Sequence, residues 1–140
     1  MNITKELISL NQDFSDKNDA IRLAGQLLVD KNLVDPEYID QMIVRDDDLS
    51  TYMGNFIAIP HGTGESGHLI KESGISIVQV PEGVRFGDNL VTVVFGIAGK
   101  GGEHLDILSQ IAILCEDIGN VQKLADAETE EEILSLIKGA

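Results

Sequence analysis

The segment LVTVVFGIA, residues 90–98, is apolar almost throughout and rich in β-branched residues. This composition is typical of a strand that is buried on both faces, because a strand with one solvent-exposed face alternates apolar with polar side chains. FIAI at 56–59 and ISIVQV at 75–80 are bounded by glycine, proline or aspartate and are predicted to be further strands.

Two helices are predicted ahead of these strands. In residues 16–30, Asp16 can act as the N-cap, and Asp19 lies in the first turn, where a negative charge is favourable. Asp35 can cap the second helix, and Pro36 fits its first helical position. The predicted inner faces consist of Ala20, Ile21, Ala24, Leu27 and Leu28, and of Ile39, Met42 and Ile43. We expect an antiparallel pair that is joined through residues 31–34.

Helical periodicity returns after the strands. It predicts a helix over 105–115, a shorter one around 121–125, and a final one that begins at Thr129 with Glu132 as its capping-box partner. The predicted inner faces are Leu105, Leu108, Ile111, Ala112 and Cys115, and then Ile133, Leu136 and Ile137. The order of helix pair, strands and helices predicts one domain over residues 1–140, an α/β or α+β sandwich.

Composition limits the function. A formal net charge of −14 disfavours nucleic acid as a partner, because the phosphates would repel the chain. It favours fast encounter with a basic protein, although solubility alone would also account for it. Without a membrane-spanning run or a signal-peptide pattern, the sequence predicts a cytoplasmic protein. The single cysteine, Cys115, rules out an internal disulfide and is predicted to be a small buried hydrophobe.

Two histidines are candidates for chemistry. His61 lies between Pro60 and Gly62 at the end of a predicted strand, where ligands tend to bind in open α/β sheets. His104 follows a glycine-rich loop at the start of a helix, a ready site for an anion. The two would meet at one edge of the sheet if their strands are neighbours. A structural or exposed histidine is the alternative at each position, and His68 is interpreted as a polar loop residue.

The chemistry of such a pair is narrowed by what the sequence lacks. The zinc patterns HxH and HExxH and a serine-hydrolase nucleophile elbow are absent, and GTGESG at 62–67 has no GKS or GKT ending. The remaining option is His61 as a nucleophile, since a neutral imidazole reacts well near its ordinary pKa of roughly 6.5. A phosphoryl group on His61 would need donors, which His104, the loop N–H groups and Arg45 could supply. For Arg45 the alternative is a surface arginine that pairs with Asp46 to Asp48.

Three segments together carry a family resemblance. GNFIAIPHGT at 54–63 resembles the active-site segment of the EIIA components of the bacterial sugar phosphotransferase system, mannitol/fructose class. The stretch 20–63, PEGVRFG at 81–87 and GIAGKGGEHLDIL at 96–108 read in order like the mannitol-type members. The resemblance covers nearly the whole chain and implies a mixed β-sheet flanked by helices.

The resemblance also assigns roles. It implies that His61 is phosphorylated by the carrier protein HPr and passes the phosphoryl group to a cysteine of the EIIB domain. It places His104 and Arg45 at the active site, implies no cofactor and no metal, and leaves room for peripheral membrane association through EIIB and EIIC. Asn55 stands where some mannitol-type members carry glutamate, so a carboxylate that orients the imidazole is missing here.

Several functions stay open at this point. Mannitol is the favoured sugar, with fructose or another polyol as alternatives. A nitrogen-type regulatory EIIA phosphoprotein that controls a binding partner is the rival class, and a non-phosphorylated binding domain is a third option. PEGVRFG and GGEHLDIL favour sugar transport.

Overall fold

Strand β5 (Asn89–Ala98) lies at the centre of the sheet, and its last six residues, 93–98, are all buried. The computed structural model, which describes residues 3–138, orders the five strands β1-β4-β5-β3-β2. The other strands are β1 (Ile8–Ser9), β2 (Tyr52–Gly54), β3 (Ile57–Ala58) and β4 (Gly74–Phe86). Strand β4 pairs with β5, and β2 with β3, in antiparallel orientation. Strand β1 pairs with β4, and β3 with β5, in parallel orientation. The sheet is therefore mixed, as predicted.

Helices cover both faces of this sheet. Helices α1 (Lys17–Asp30) and α2 (Glu37–Asp48) pack on one face, and α3 (Glu103–Cys115), α4 (Ile118–Asp126) and α5 (Glu130–Lys138) pack on the other. Successive side chains of β5 point to opposite faces of the sheet and so contribute to two hydrophobic cores. Val94 and Ala98 belong to the core beneath α1 and α2, and Val93 and Phe95 belong to the core beneath α3, α4 and α5. This arrangement confirms the α/β single-domain sandwich. The boundaries 1–140 stay a prediction.

The caps explain where several helices begin. The Asp16 carboxylate accepts a hydrogen bond from Asn18 N, as predicted for α1. At α5, Thr129 Oγ1 accepts from Glu132 N, but the Glu132 carboxylate accepts from Glu128 N, one residue outside the predicted capping box. Asp35 does not cap α2 with its side chain. Its main-chain oxygen accepts from Tyr38 N (2.9 Å) instead, and Pro36, which has a helical backbone, directly precedes the helix.

One predicted inner face is incomplete, and another is wrong in part. Helix α2 buries Tyr38, Met42 and Asp46, which recur one turn apart, whereas Ile39 and Ile43 are only partly buried. Helix α3 begins two residues earlier than predicted, at Glu103, and turns Ile111, Leu114 and Cys115 inward. Leu105 and Ala112 face outward instead, and Leu105 is 62% exposed. The buried Cys115 thiol has its pKa raised to about 12 by burial, in agreement with the predicted hydrophobe.

The strand boundaries differ from the predictions for local reasons. Strand β3 is shorter than FIAI because Phe56 has a left-handed backbone, with φ of 67°, in the turn after β2. Strand β4 continues beyond ISIVQV through a register shift between Gln79 and Val84. Such irregularities are where a sheet tolerates proline, here Pro81. Within residues 3–138, no helix is long and apolar enough to cross a membrane.

Gln79 joins three parts of the fold through one buried amide. Its Oε1 accepts a hydrogen bond from Asn11 N (2.9 Å), and its Nε2 donates to Leu124 O (2.9 Å) and Ala127 O (2.8 Å). The side chain therefore connects the loop after β1 to the C-terminal end of α4 across β4.

We predict that Gln79→Ala lowers the free energy of unfolding by about 2–3 kcal/mol, because it leaves buried carbonyl groups without a donor. Gln122→Ala is the matched control, since Gln122 is exposed and, among the residues that the structure describes, its side chain bonds only Asp126 one helical turn away. We expect the control to change stability by less than about 0.5 kcal/mol. Urea denaturation of both variants measures the difference, and equal losses would contradict the role of Gln79.

Candidate functional site

The parallel strands β3 and β5 end at the same edge of the sheet, and a cleft of about 360 Å³ opens there. The chain leaves β3 through Pro60 and His61, and His61 pairs with Ile97 in an isolated parallel bridge. Ile97 N donates to Pro60 O (3.0 Å), so the backbone before His61 is fixed to the central strand. The cleft is lined by Arg45, His61 and His104 together with six glycines, Gly62, Gly64, Gly67, Gly99, Gly101 and Gly102.

The imidazole of His61 is held in one tautomer by a backbone carbonyl. His61 Nδ1 lies 2.7 Å from Ile59 O. Because a carbonyl oxygen only accepts hydrogen bonds, Nδ1 carries the proton and donates it. Nε2 of the neutral ring is then left with a free lone pair, which makes it the nucleophilic nitrogen of this side chain.

The surroundings of His61 keep the ring neutral. Partial burial lowers its pKa below the ordinary histidine value, and the nearby charges of Arg45 and His104 lower it further, against the opposing effect of the hydrogen bond to Ile59. A histidine with a lowered pKa is unprotonated at neutral pH. The lone pair on Nε2 is therefore available for reaction.

Tyr38 holds the loop around His61 in place. Its hydroxyl donates to Ile97 O (2.8 Å) at the end of β5 and accepts from Gly62 N (2.8 Å) next to His61. The side chain is 2% exposed, and burial raises its pKa to about 12, so the hydroxyl stays neutral and can donate. Tyr38 is not among the site residues that the sequence predicts. The signal that could have found it is its position one turn before Met42, on the buried face of α2.

Two glycines are required by close packing. A Cβ on Gly62 would collide with the Tyr38 ring and with Ser66 Oγ. A Cβ on Gly99 would collide with the backbone of His104, so the loop after β5 lies directly against the start of α3. These contacts place the backbone of both loops at the cleft without an intervening side chain.

His104 and Arg45 reach the cleft from the two helical layers. His104 is the second residue of α3 and is half-buried. It lines the same cleft as His61, which confirms the expectation that both histidines lie at one edge of the sheet. Arg45 comes from the last turn of α2, and its Nη1 donates to Leu49 O (2.6 Å). Arg45 does not pair with the neighbouring aspartates within residues 3–138, since Asp46 binds Lys17 and Thr51 instead.

Two other residues considered from the sequence lie outside the cleft lining. His68 is exposed in a 3-10 helix (Gly64–Leu69), as expected for a polar loop residue. Asn55 turns toward the opposite end of α3, where its Nδ2 donates to Cys115 O (2.9 Å). The imidazole of His61 is oriented by a main-chain carbonyl, and no carboxylate at position 55 is needed for that purpose.

The arrangement combines a neutral nucleophilic nitrogen, a guanidinium and a second imidazole around a small polar cleft. Cationic and N–H donors stabilise an anionic electrophile such as a phosphoryl group, and in a partly dehydrated cleft their effect is larger than in water.

Comparison with known proteins shows the family of this chain. A family model, described as phosphoenolpyruvate-dependent sugar phosphotransferase system, EIIA 2, matches residues 1–140. The mannitol-specific phosphotransferase enzyme IIA component of Enterococcus faecalis is 56% identical over 136 residues, which cover 94% of this chain and 94% of that protein.

Solved structures agree on the fold. The crystal structure of the mannitol IIA protein of Escherichia coli superimposes with a TM-score of 0.92 at 34% identity, covering 98% of this chain and 99% of that chain. A chain in the complex of the mannitol enzymes IIA and phosphorylated IIB from the same organism superimposes with a TM-score of 0.94 at 34% identity. The match covers 99% of this chain and 99% of that chain. The chain belongs to the EIIA 2 family of the phosphoenolpyruvate-dependent sugar phosphotransferase system.

Proposed function

We propose that this chain is a phosphocarrier that receives a phosphoryl group from phospho-HPr on His61 and delivers it to a cysteine of EIIB during mannitol uptake. The observation that carries the proposal is the hydrogen bond from His61 Nδ1 to Ile59 O (2.7 Å), since it leaves Nε2 as the free nitrogen. Arg45 and His104 line the same cleft and would meet the negative charge of the incoming group.

The transfer needs only one bond to form and one to break. The lone pair of His61 Nε2 attacks phosphorus, and the bond between phosphorus and the donor histidine of HPr breaks, with its electron pair returning to the donor nitrogen. The proton on Nδ1 stays on the ring, because it is already donated to Ile59 O. In the second transfer the EIIB thiolate attacks phosphorus, the bond between phosphorus and His61 Nε2 breaks, and its electron pair returns to Nε2, so that His61 is neutral again.

Positioning and electrostatic stabilisation supply most of the catalysis in phosphoryl transfer. Arg45 is held by Leu49 O, so its guanidinium is already placed when the phosphoryl group arrives. His104 would donate to a phosphoryl oxygen from the start of α3. The donor imidazole and the EIIB thiolate come from partner proteins, and the bond between phosphorus and His61 Nε2 forms in the first step and breaks in the second.

Mannitol is the proposed sugar because the relative from Enterococcus faecalis is named mannitol-specific, and EIIB is the proposed acceptor because the Escherichia coli complex pairs the two enzymes. The formal net charge of −14 suits a basic docking face such as that of HPr. A cytoplasmic location is part of the proposal, since the system draws its phosphoryl group from phosphoenolpyruvate, a metabolite inside the cell.

Incubation with phosphoenolpyruvate, Enzyme I and HPr, followed by intact mass, tests the proposal. We expect the wild type to gain one acid-labile phosphoryl group and His61→Ala to gain none. His68→Ala is the matched control, because His68 is exposed and lies outside the cleft lining, and we expect it to behave like the wild type. An unmodified wild type would refute the carrier.

Addition of EIIB separates the alternatives. Preferred transfer to a mannitol-type EIIB supports the proposal, whereas preferred transfer to a fructose-type EIIB would identify a fructose-specific carrier. Stable phosphorylation without transfer to either EIIB would favour the nitrogen-type regulatory function.

We predict that His104→Ala slows phosphoryl transfer by about 10²- to 10³-fold, as the loss of one preorganised donor does in acyl transfer. The melting temperature should change little, since the His104 ring is half-buried and makes no hydrogen bond within residues 3–138. Single-turnover transfer from phospho-HPr and thermal melts, with His68→Ala in parallel, measure both effects. A melting temperature that falls in step with the rate would instead place His104 in the folding of the loop.

A further inference from the structure

Asp46 is a buried carboxylate one position after Arg45, on the inner face of α2. It is 2% exposed, and both of its oxygens are bonded. Oδ1 accepts from Thr51 N (2.9 Å) and from Thr51 Oγ1 (2.5 Å), and Oδ2 accepts from Lys17 Nζ (2.6 Å). Asp46 thus fixes the start of the segment that leads from α2 to the site.

The first consequence concerns His61. The Thr51 carbonyl accepts a hydrogen bond from Ile59 N (3.0 Å), and the Ile59 carbonyl in turn accepts from His61 Nδ1 (2.7 Å). A continuous series of hydrogen bonds therefore runs from the Asp46 carboxylate to the imidazole. The bonds pass through separate peptide groups, so the effect on His61 is one of geometry rather than of charge relay.

The second consequence concerns Arg45. Its Nη1 donates to Leu49 O (2.6 Å), and Leu49 N donates back to Arg45 O (3.2 Å). Residues 49–51, which we call the strap, thus provide one carbonyl that holds the guanidinium and another that holds the backbone before His61. Asp46 bonds the end of the strap twice, through the backbone and the side chain of Thr51.

We propose that Asp46 is a positioning residue for phosphoryl transfer. By fixing the strap, Asp46 fixes the positions of both His61 and Arg45. This inference rests on the proposed function for its kinetic consequence but not for its structural one. A misplacement of about 1 Å in a reacting group can cost about 10²-fold in rate, so a loosened strap should slow transfer without any loss of a reacting group.

The ionised state of Asp46 is compatible with this role. Burial alone raises the pKa of a carboxyl group, but the hydrogen bonds from Lys17 and Thr51 outweigh it and hold the pKa of Asp46 below its usual value. The carboxylate is therefore charged at neutral pH and accepts from all three donors. An amide at this position cannot accept on both sides. With its oxygen toward Thr51 its NH₂ group faces the Lys17 ammonium, and in the flipped orientation its NH₂ group faces Thr51 N, so the bonds to the strap are lost.

The test compares Asp46→Asn with Asp48→Asn, a matched change of charge at an exposed position in the same helical turn. Nitrogen NMR of isotope-labelled histidine reports the tautomer of His61, and single-turnover kinetics with phospho-HPr reports the transfer rate. We expect Asp46→Asn to give a mixture of the two His61 tautomers and a rate lower by about tenfold to 10²-fold. Asp48→Asn should retain the single tautomer and the wild-type rate.

If Asp46 only stabilised the fold and did not position His61, a different result would be expected. Asp46→Asn would then melt at a lower temperature but, below that temperature, would keep the wild-type tautomer and transfer rate, and this outcome would overturn the proposal. If Asp46→Asn does not fold, Thr51→Val keeps the backbone bond to Asp46 and loses the hydroxyl bond. A smaller shift of the same kind in Thr51→Val supports the proposal, and an unchanged tautomer refutes it.

The two readouts separate this inference from the proposed function. If the wild type accepts no phosphoryl group, the carrier function fails, while the His61 tautomer in Asp46→Asn still decides whether Asp46 positions the ring.

Discussion

The parallel pairing of β3 with the central strand β5 determines where the reactive groups meet. Ile57 pairs with Val93, and His61 pairs with Ile97, four residues further along both strands, so the register continues past the end of β3. Parallel strands end at the same edge, and for that reason His61 and the loop that leads to His104 emerge side by side. A two-residue strand can hold this position because its partner is buried on both faces.

Helix α2 is fastened to that edge by two buried polar side chains on one face. Tyr38, near its start, bonds the end of β5 and the loop after His61, and Asp46, in its last turn, bonds the strap. Tyr38 is neutral and Asp46 is ionised, but each has its hydrogen-bonding groups satisfied, which is what makes buried polar groups tolerable. Arg45 lies on the same helix, so the contacts that fix α2 also fix the position of Arg45 relative to His61.

The sequence predicts the reactive residues of this site better than the residues that hold them in place. His61 and His104 could be found because each follows a strand and lies within two residues of a glycine. Strand β5 could be found because eight apolar or glycine residues in 90–98 are interrupted only by Thr92. Tyr38 and Asp46 were missed because a tyrosine and an aspartate in a helix are ordinarily assigned to its surface, and only tertiary contacts reveal their burial. Strands β1 and β2 are too short for a period to be recognised. Leu105 was misplaced because α3 has apolar residues on more than one face, and its rotation is set by packing.

The nitrogen of His61 that takes the phosphoryl group decides whether the proposed mechanism is correct. Heteronuclear phosphorus–nitrogen NMR of the phosphorylated protein with labelled histidine identifies that nitrogen directly. Because Nδ1 donates to Ile59 O, we predict a phosphoryl group on Nε2 of His61, with the proton still on Nδ1. A phosphoryl group on Nδ1, or on any other residue, would contradict it.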